Sequence, residues 1–389
     1  MLGYVQNLFN QRPNPIGIDF GSDCLRAAQV QEIEGDHALL AAAAVDLPVG
    51  THLNNESRFE FFAGGIRELL GGAPFRGRQV ILALPACVTQ VRHVSISAGQ
   101  GDSIKAGVLR ELAGKLPFDP SHALIRHIVA GEITREAGRQ LEVIALAAER
   151  TWVDRLLKIA TAAKLDVVGM NAEPLAIADC FSHVYRRDED CQATQLFLDM
   201  GNHSTRAVVA RGGNILFART ISVGGSDLTN AVAHSMQISL AEARTLRIRI
   251  ASLRDDRSAD EDSVEFDRPS QATAELRMQL SRVEQAIRPV IDLLISQIDF
   301  CRNDHETTFP AAKIDRIIFL GGEARHTSMC KQIARHLDLP GRVGSPFCRM
   351  ASHTKVGPEA GIDRRTPQPA WAVSLGLSMG PRVRREVLA

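Results

Sequence analysis

Two segments 180 residues apart follow one plan: IGIDFGSDCLRAAQV from Ile16 and LFLDMGNHSTRAVVA from Leu196. Each reads as a short apolar strand ending in aspartate, a D-x-G turn, a polar loop and a second apolar strand. A third strand follows each copy, at Ala38–Val45 and within GGNILFARTISVGG. Self-similarity at so long a spacing marks a duplicated domain and not a solenoid array. The chain therefore folds as two related halves, and its 389 residues are long enough for two cores.

The rest of the pattern is α/β. Helical spacing follows at Arg58–Leu70, then the apolar strand VILALP from Val80. VRHVSIS, a helix near Ser103–Lys115, LIRHIVAGEI and LEVIALAAE form a compact block. With the helix over Thr151–Ala163, this block sets apart residues 86–165 as a small insertion. VVGMNAEPLAIADCF gives a strand, a turn at Asn171 and a helix opening near Pro174, where proline suits a first turn. Helices are expected from Asp227 to Met236 and over AEARTLRIR. The run Arg254–Ser270, with seven acids and three basic residues, reads as a mobile solvated loop. A long apolar-striped helix from Leu276 to Ile298 should be kinked or split by Pro289. The strand IDRIIFLGG, a helix over Thr327–Leu337 and a packed C-terminal helix in WAVSLGLSMG complete the reading.

Charge narrows the partners. Lys plus Arg and Asp plus Glu both number 45, so the formal charge is zero and gives no electrostatic case for nucleic acid or an anionic membrane. Seven scattered cysteines without a C-x-x-C pair argue against a disulfide framework or zinc site and suit a reducing cytoplasm. No apolar run is long enough to span a bilayer. The opening MLGYVQNLFNQRP lacks a signal-peptide core and reads as a frayed terminus.

The D-x-G loops are the strongest chemical signal. Two such turns facing each other present backbone N–H groups and short hydroxyls to one phosphate chain from opposite sides. Asp19 and Asp199 would then meet a hydrated magnesium ion carried by those phosphates. Gly321 and Gly322 in FLGGEA, and Gly224 and Gly225 before SDLT, allow close approach of a ring or a phosphate to backbone. Each is also ordinary turn chemistry, and Ser226 or Asp227 would serve a helix start without any ligand. Glu173, at a strand-to-helix turn, is the candidate to orient or deprotonate an attacking water; stabilising the helix start is the alternative.

Two D-x-G loops, an E-P turn between them and a late strand ending in Gly-Gly are similar, in this order, to the ATP-binding superfamily of actin, sugar kinases and heat-shock chaperones. VILALPACVTQVRHVSIS, LRELAGKLPFDP, SVGGSDLTNAVA, IIFLGGEA and LDLPGRVGSPF resemble the PilM family of type IV pilus and type II secretion systems over about Pro15–Gly380, with FtsA a more distant likeness.

The resemblance implies a two-lobed actin-like (ribonuclease H-like) duplicated α/β fold with a small inserted subdomain in the first lobe. The first lobe would cover 14–190, with core segments 14–85 and 166–190, the insertion at 86–165, and the C-terminal helix 369–381 completing it. The second lobe would cover 191–368, with an outer subdomain at about 226–310. ATP and Mg would sit between the lobes, held by Gly21, Ser22, Asp23 and Cys24 in the first loop. Gly201, Asn202, His203, Ser204 and Thr205 would form the second loop, with Gly224 and Gly225 beside it and Gly321, Gly322 and Glu323 lining the adenosine site.

The implied partner is the N-terminal cytoplasmic tail of a PilN-like bitopic membrane protein, bound in a first-lobe groove near the insertion. The chain would lie in the cytoplasm at the inner face of the inner membrane, touching the membrane only through that partner and free to self-associate.

Four positions depart from the pattern. Cys24 stands where a serine or threonine is common, and a thiol is the poorer donor. Arg26 replaces a frequent lysine, Glu323 replaces a frequent third glycine and must turn its charge away from the phosphates, and Asn202 with His203 makes the second loop bulky. Hydrolysis is therefore expected to be slow or absent. An active ATPase or kinase is the alternative, but no Asp-rich sugar loop is present. An FtsA-like filament protein would want a basic amphipathic C-terminal helix, for which GPRVRREVLA has too few apolar residues.

Overall fold

A computed structural model describes residues 13–33, 36–48, 54–97, 103–135, 138–185, 188–258, 271–352 and 362–380. The opening segment and the tail beyond Gly380 lie outside the described residues, as do 259–270 of the acidic run.

The duplication is visible in two sheets. In the first lobe, β1 (Ile16–Phe20), β2 (Cys24–Ile33) and β3 (Asp36–Asp46) form an antiparallel meander. Beside β1 lie β4 (Gln79–Leu84) and then β8 (Asp166–Ala172), both parallel. In the second lobe β9 (Thr194–Met200), β10 (Thr205–Arg211) and β11 (Asn214–Ile221) repeat the meander, while β12 (Arg316–Leu320) and β13 (Gly341–Val343) are the parallel partners on the other side of β9. The orders β3-β2-β1-β4-β8 and β11-β10-β9-β12-β13 are the same topology twice; β14 (Ala351–Ser352) adds to the outer edge of the first. The first strand of each copy is buried along its whole length, which explains its unbroken apolar run.

Between β4 and β8 a third, three-stranded sheet is inserted: β5 (Thr89–Ser97), β7 (Gly138–Glu149) and β6 (Ala123–Arg135), in that order. Helix α2 (Ile104–Leu112) seals it with Val108 and Leu112. Its strand β5 reaches across to the second lobe, where His93 lies 3.0 Å from the carbonyl of Ala218 and stacks on Phe217. Helix α1 (Asn55–Gly71), capped by Asn54 on the Ser57 amide, packs Phe59, Phe62 and Ile66 on the first-lobe sheet. The same core receives Leu156, Ile159 and Ala160 of α3 (Arg150–Ala162), so this helix follows the insertion in sequence but packs on the lobe.

The lobes meet at α4 (Glu173–Ser182) and the C-terminal helix α10 (Ala372–Met379), whose apolar side chains join one core shared by both large sheets. Helix α10 lies so close to β1 and α4 that its backbone touches theirs: a Cβ on Gly17 would stand 2.1 Å from the Ser374 carbonyl, and one on Gly376 1.8 Å from that of Ala176. Ser378 Oγ donates to Pro15 O and accepts from Val30 N, tying the end of the chain to its start.

The outer part of the second lobe is helical: α6 (Gly225–Met236), α7 (Leu240–Ser258) and α8 (Gln271–Thr308), with α9 (Thr327–Leu337) after β12 and a short α5 (Asp188–Gln192) before β9. Three expectations change here. Helix α7 runs through Ser258, taking in the start of the acidic run, because Leu253, Arg254 and Arg257 are good helix formers. Pro289 does not split α8, which continues across it; Ile291, Leu294, Ile295 and Ile298 hold the half after the proline against the second-lobe sheet, and Val283 holds the half before it against Val232 of α6 and Ala243 and Ile250 of α7. No turn intervenes at Asn171, since β8 passes through Ala172 directly into α4.

Candidate functional site between the lobes

Both D-x-G loops open on one cleft. Gly21 and Ser22 line it from the first lobe, and His203 and Ser204 from the second. Glu173 and Arg206 close its floor, and its volume is about 1050 Å³. Sharp loop geometry requires the glycines: a Cβ at Gly21 would lie 2.6 Å from the Cys24 carbonyl, and one at Gly201 3.1 Å from that of Ser204.

The second loop is braced from behind. The amides of Gly225 and Ser226, at the start of α6, donate to the carbonyls of Gly201 and Asn202. The Gly224 amide donates to Asp227 Oδ2 at 2.9 Å. These N-terminal donors support the loop and do not face the cleft. Gly224 and Gly321 are packed against the same loop: a Cβ on Gly224 would stand 2.7 Å from the Ser204 amide, and one on Gly321, whose φ is +83°, 2.2 Å from the Met200 carbonyl. Thr205 is fully buried and its hydroxyl donates to the Val223 carbonyl at 2.8 Å.

Cys24 also turns inward. Its Sγ donates to the Leu25 carbonyl at 3.4 Å, and burial pushes the thiol up to about 12. The side chain is therefore a strand residue and does not present a donor to the cleft. Asp23 instead reaches across to Arg244 on α7, 3.5 Å away, as an ion pair between the lobes. Glu323 points away from the loops: its Oε2 is 2.6 Å from Arg247 Nη2 and 3.3 Å from His326 Nε2. Arg247, nearly buried, also donates to the Gly225 carbonyl and to Thr229 Oγ1. Beside this pair, between α6, α7, α8 and α9, lies a second cavity of about 420 Å³ with Leu228, Ile250, Val283 and Ile287 on its walls. Gly321, Gly322 and Glu323 do not line the cleft between the lobes.

Asp19, Asp199 and Glu173 are all buried, and of the three only Glu173 lines the cleft. Arg206 stands among them, its Nε 3.2 Å from Asp199 Oδ2 and in close contact with Glu173 Oε2. Burial pushes Asp19 up to about 6 against the pull of Arg26 and Arg206, and Asp19 Oδ1 has no hydrogen-bond partner among the described residues. Burial likewise pushes Glu173 up to about 8, opposed by Arg206 and assisted by repulsion from Asp19 and Asp199. Burial thus favours a proton on Glu173, and its Oε2, occupied by the Arg206 guanidinium, is poorly placed to take one from water. The folded state holds this proton between about pH 4.5 and 8 while the unfolded chain does not, so stability falls as pH rises through that window. Glu173→Gln is expected to flatten the decline in melting temperature between about pH 5 and pH 8.5; an unchanged slope would place the titration elsewhere.

Direct coordination of a magnesium ion by these carboxylates would set it beside the Arg206 guanidinium, which already supplies a cation to Asp199 and Glu173. Among the described residues no group of three or more His, Cys, Asp or Glu is arranged to hold a metal. The sequence reading missed Arg206, though the repeat contains the signal: it follows Asp199 at the spacing by which Arg26 follows Asp19. Arg58, buried on α1 and lining the same cleft, carries no comparable mark.

Two lobes of repeated topology around such a cleft define an actin-like fold. The family described as type IV pilus assembly protein PilM matches residues 17–256, and that of cell division protein FtsA matches residues 196–376. The chain belongs to the PilM family of type IV pilus assembly proteins. A solved PilM–PilN type IV pilus biogenesis complex contains a similar chain at 22% identity, covering 94% of this chain and 98% of that one with a TM-score of 0.72. Ethanolamine utilization protein EutJ from Carboxydothermus hydrogenoformans has the same fold at 14% identity, covering 95% and 90%, with a TM-score of 0.51. Cell division protein FtsA of Rhizobium meliloti is 25% identical over 251 residues, 62% of this chain and 52% of that protein. The chain spans about half the length of the curated relatives it matches. No described helix is long and apolar enough to cross a membrane.

Proposed function

We propose that the chain is an ATP-binding scaffold of a type IV pilus or type II secretion assembly platform, acting in the cytoplasm at the inner membrane. In this reading the nucleotide sits between the D-x-G loops and fixes the angle between the lobes, and with it the shape of a groove for the N-terminal tail of a PilN-like membrane protein. The observation that carries it is the convergence of loops from both lobes on one cleft. That cleft continues past Pro85 and Ala86 along Gln90–His93 of β5, at the base of the insertion, and in this reading the tail lies there. The match to a PilM–PilN complex supports a tail as its occupant. Slow or absent hydrolysis fits this reading, because the Arg206 guanidinium occupies Glu173 Oε2. Self-association is compatible with the reading and is not required by it.

The full chain, titrated into labelled N-terminal peptides of the membrane proteins encoded beside it, is expected to bind one of them, with an affinity that changes severalfold on adding ATP. Absence of binding to every such peptide, with and without ATP, would sink the scaffold reading. The FtsA match over the second lobe favours a filament-forming alternative; electron microscopy of the chain with ATP separates the two, since filaments are expected only for the latter.

A further inference from the structure

Each lobe carries the same cross-strand pair. Asp19 on β1 lies opposite Arg26 on β2, and Asp199 on β9 lies opposite Arg206 on β10. Arg206 is the more central of the two guanidiniums. It contacts Asp199 of its own lobe and Glu173 at the junction, and its charge reaches Asp19 of the other lobe. Its side chain is only 13% exposed, so solvent screens these interactions little.

A divalent ion bridging Asp19 and Asp199 would have to share this space. Two unit charges 4 Å apart interact with about 4 kcal/mol at an effective dielectric of 20, and a divalent ion doubles the repulsion. The guanidinium cannot shed its proton to relieve that cost. Phosphate oxygens, in contrast, match its planar donors and those of Arg58 in the same cleft.

We propose that Arg206 is the built-in cation of the interlobe cleft: it takes the position that a divalent metal would need between Asp19, Asp199 and Glu173, and a phosphate chain bound between the loops is neutralised by guanidinium groups, independently of divalent metal. The phosphate part rests on the nucleotide reading above; the exclusion of metal does not.

Two measurements on the full chain test it. In the first, Mn²⁺ is titrated without nucleotide and followed by electron paramagnetic resonance. The wild-type protein is expected to bind no Mn²⁺ tightly, whereas Arg206→Ala is expected to gain one site with at least tenfold higher affinity. Arg206→Gln, of similar length and uncharged, replaces it if the alanine variant does not fold. One tightly bound Mn²⁺ in the wild type that Asp199→Asn abolishes overturns the proposal, and so does the absence of any gain in the folded Arg206 variants.

In the second, ATP affinity is compared in EDTA and in Mg²⁺. Equal values within about twofold are expected, and a tenfold or greater loss in EDTA overturns metal independence. If ATP binds in neither condition, the nucleotide reading and the phosphate part fail, while the Mn²⁺ titration still decides whether Arg206 excludes metal.

Discussion

Arg247→Ala is expected to lower stability by about 3–5 kcal/mol, because it strands Glu323 without its partner in a poorly hydrated position. Arg247 is 5% exposed and makes three contacts: the Gly225 carbonyl at the start of α6, Thr229 one turn later, and Glu323 after β12. Removing it leaves a carboxylate, a carbonyl and a hydroxyl without that donor, and the α6 start that braces the second loop loosens. Denaturant unfolding checks the value. The double variant Arg247→Met with Glu323→Gln should recover a large part of the loss, since the uncompensated charge is gone. A loss below about 1 kcal/mol for Arg247→Ala would mean that Glu323 finds adequate solvation on its own.

The second large effect is steric. Gly376→Ala places a methyl group 1.8 Å from the Ala176 carbonyl, at the crossing of α10 and α4. Backbone on both sides cannot yield as a flexible side chain can, so the two helices must separate and the shared core must reopen. The expected cost is about 3 kcal/mol or more. Gly64→Ala in α1 is the matched control: its Cβ meets nothing within 4 Å, and the higher helix propensity of alanine should stabilise by about 0.5–1 kcal/mol. Equal effects of the two substitutions would contradict the close approach of α10.

Much of this architecture was legible because the duplicated strands are buried on both faces and bounded by D-x-G turns, so register and topology leave marks at fixed spacing. Asp19, Asp199, Gly21, Gly201 and Glu173 stand out in the sequence for the same reason: turn chemistry and strand ends are local properties. Cys24 was misjudged because its position in the loop is local but the direction of its side chain is set by the β2–β3 pairing opposite Asp46. The role of Glu323 depends on Arg247, 76 residues away, and no local pattern predicts such a pair. Arg206 lies between these cases. Its spacing from Asp199 repeats that of Arg26 from Asp19, yet its contact with Glu173 appears only when the lobes are brought together. Pro289 shows the weakness of a single-residue rule where tertiary packing holds a helix on course.

The central claim is that the two loops form one phosphate site across the cleft. Equilibrium binding of ATP to Ser22→Asp and to Ser204→Asp tests it most directly, since each variant adds one carboxylate to one lip of the cleft and leaves the other loop intact. The account predicts that either substitution alone weakens ATP binding at least tenfold, or about 1.4 kcal/mol. Wild-type affinity retained in either variant would contradict it.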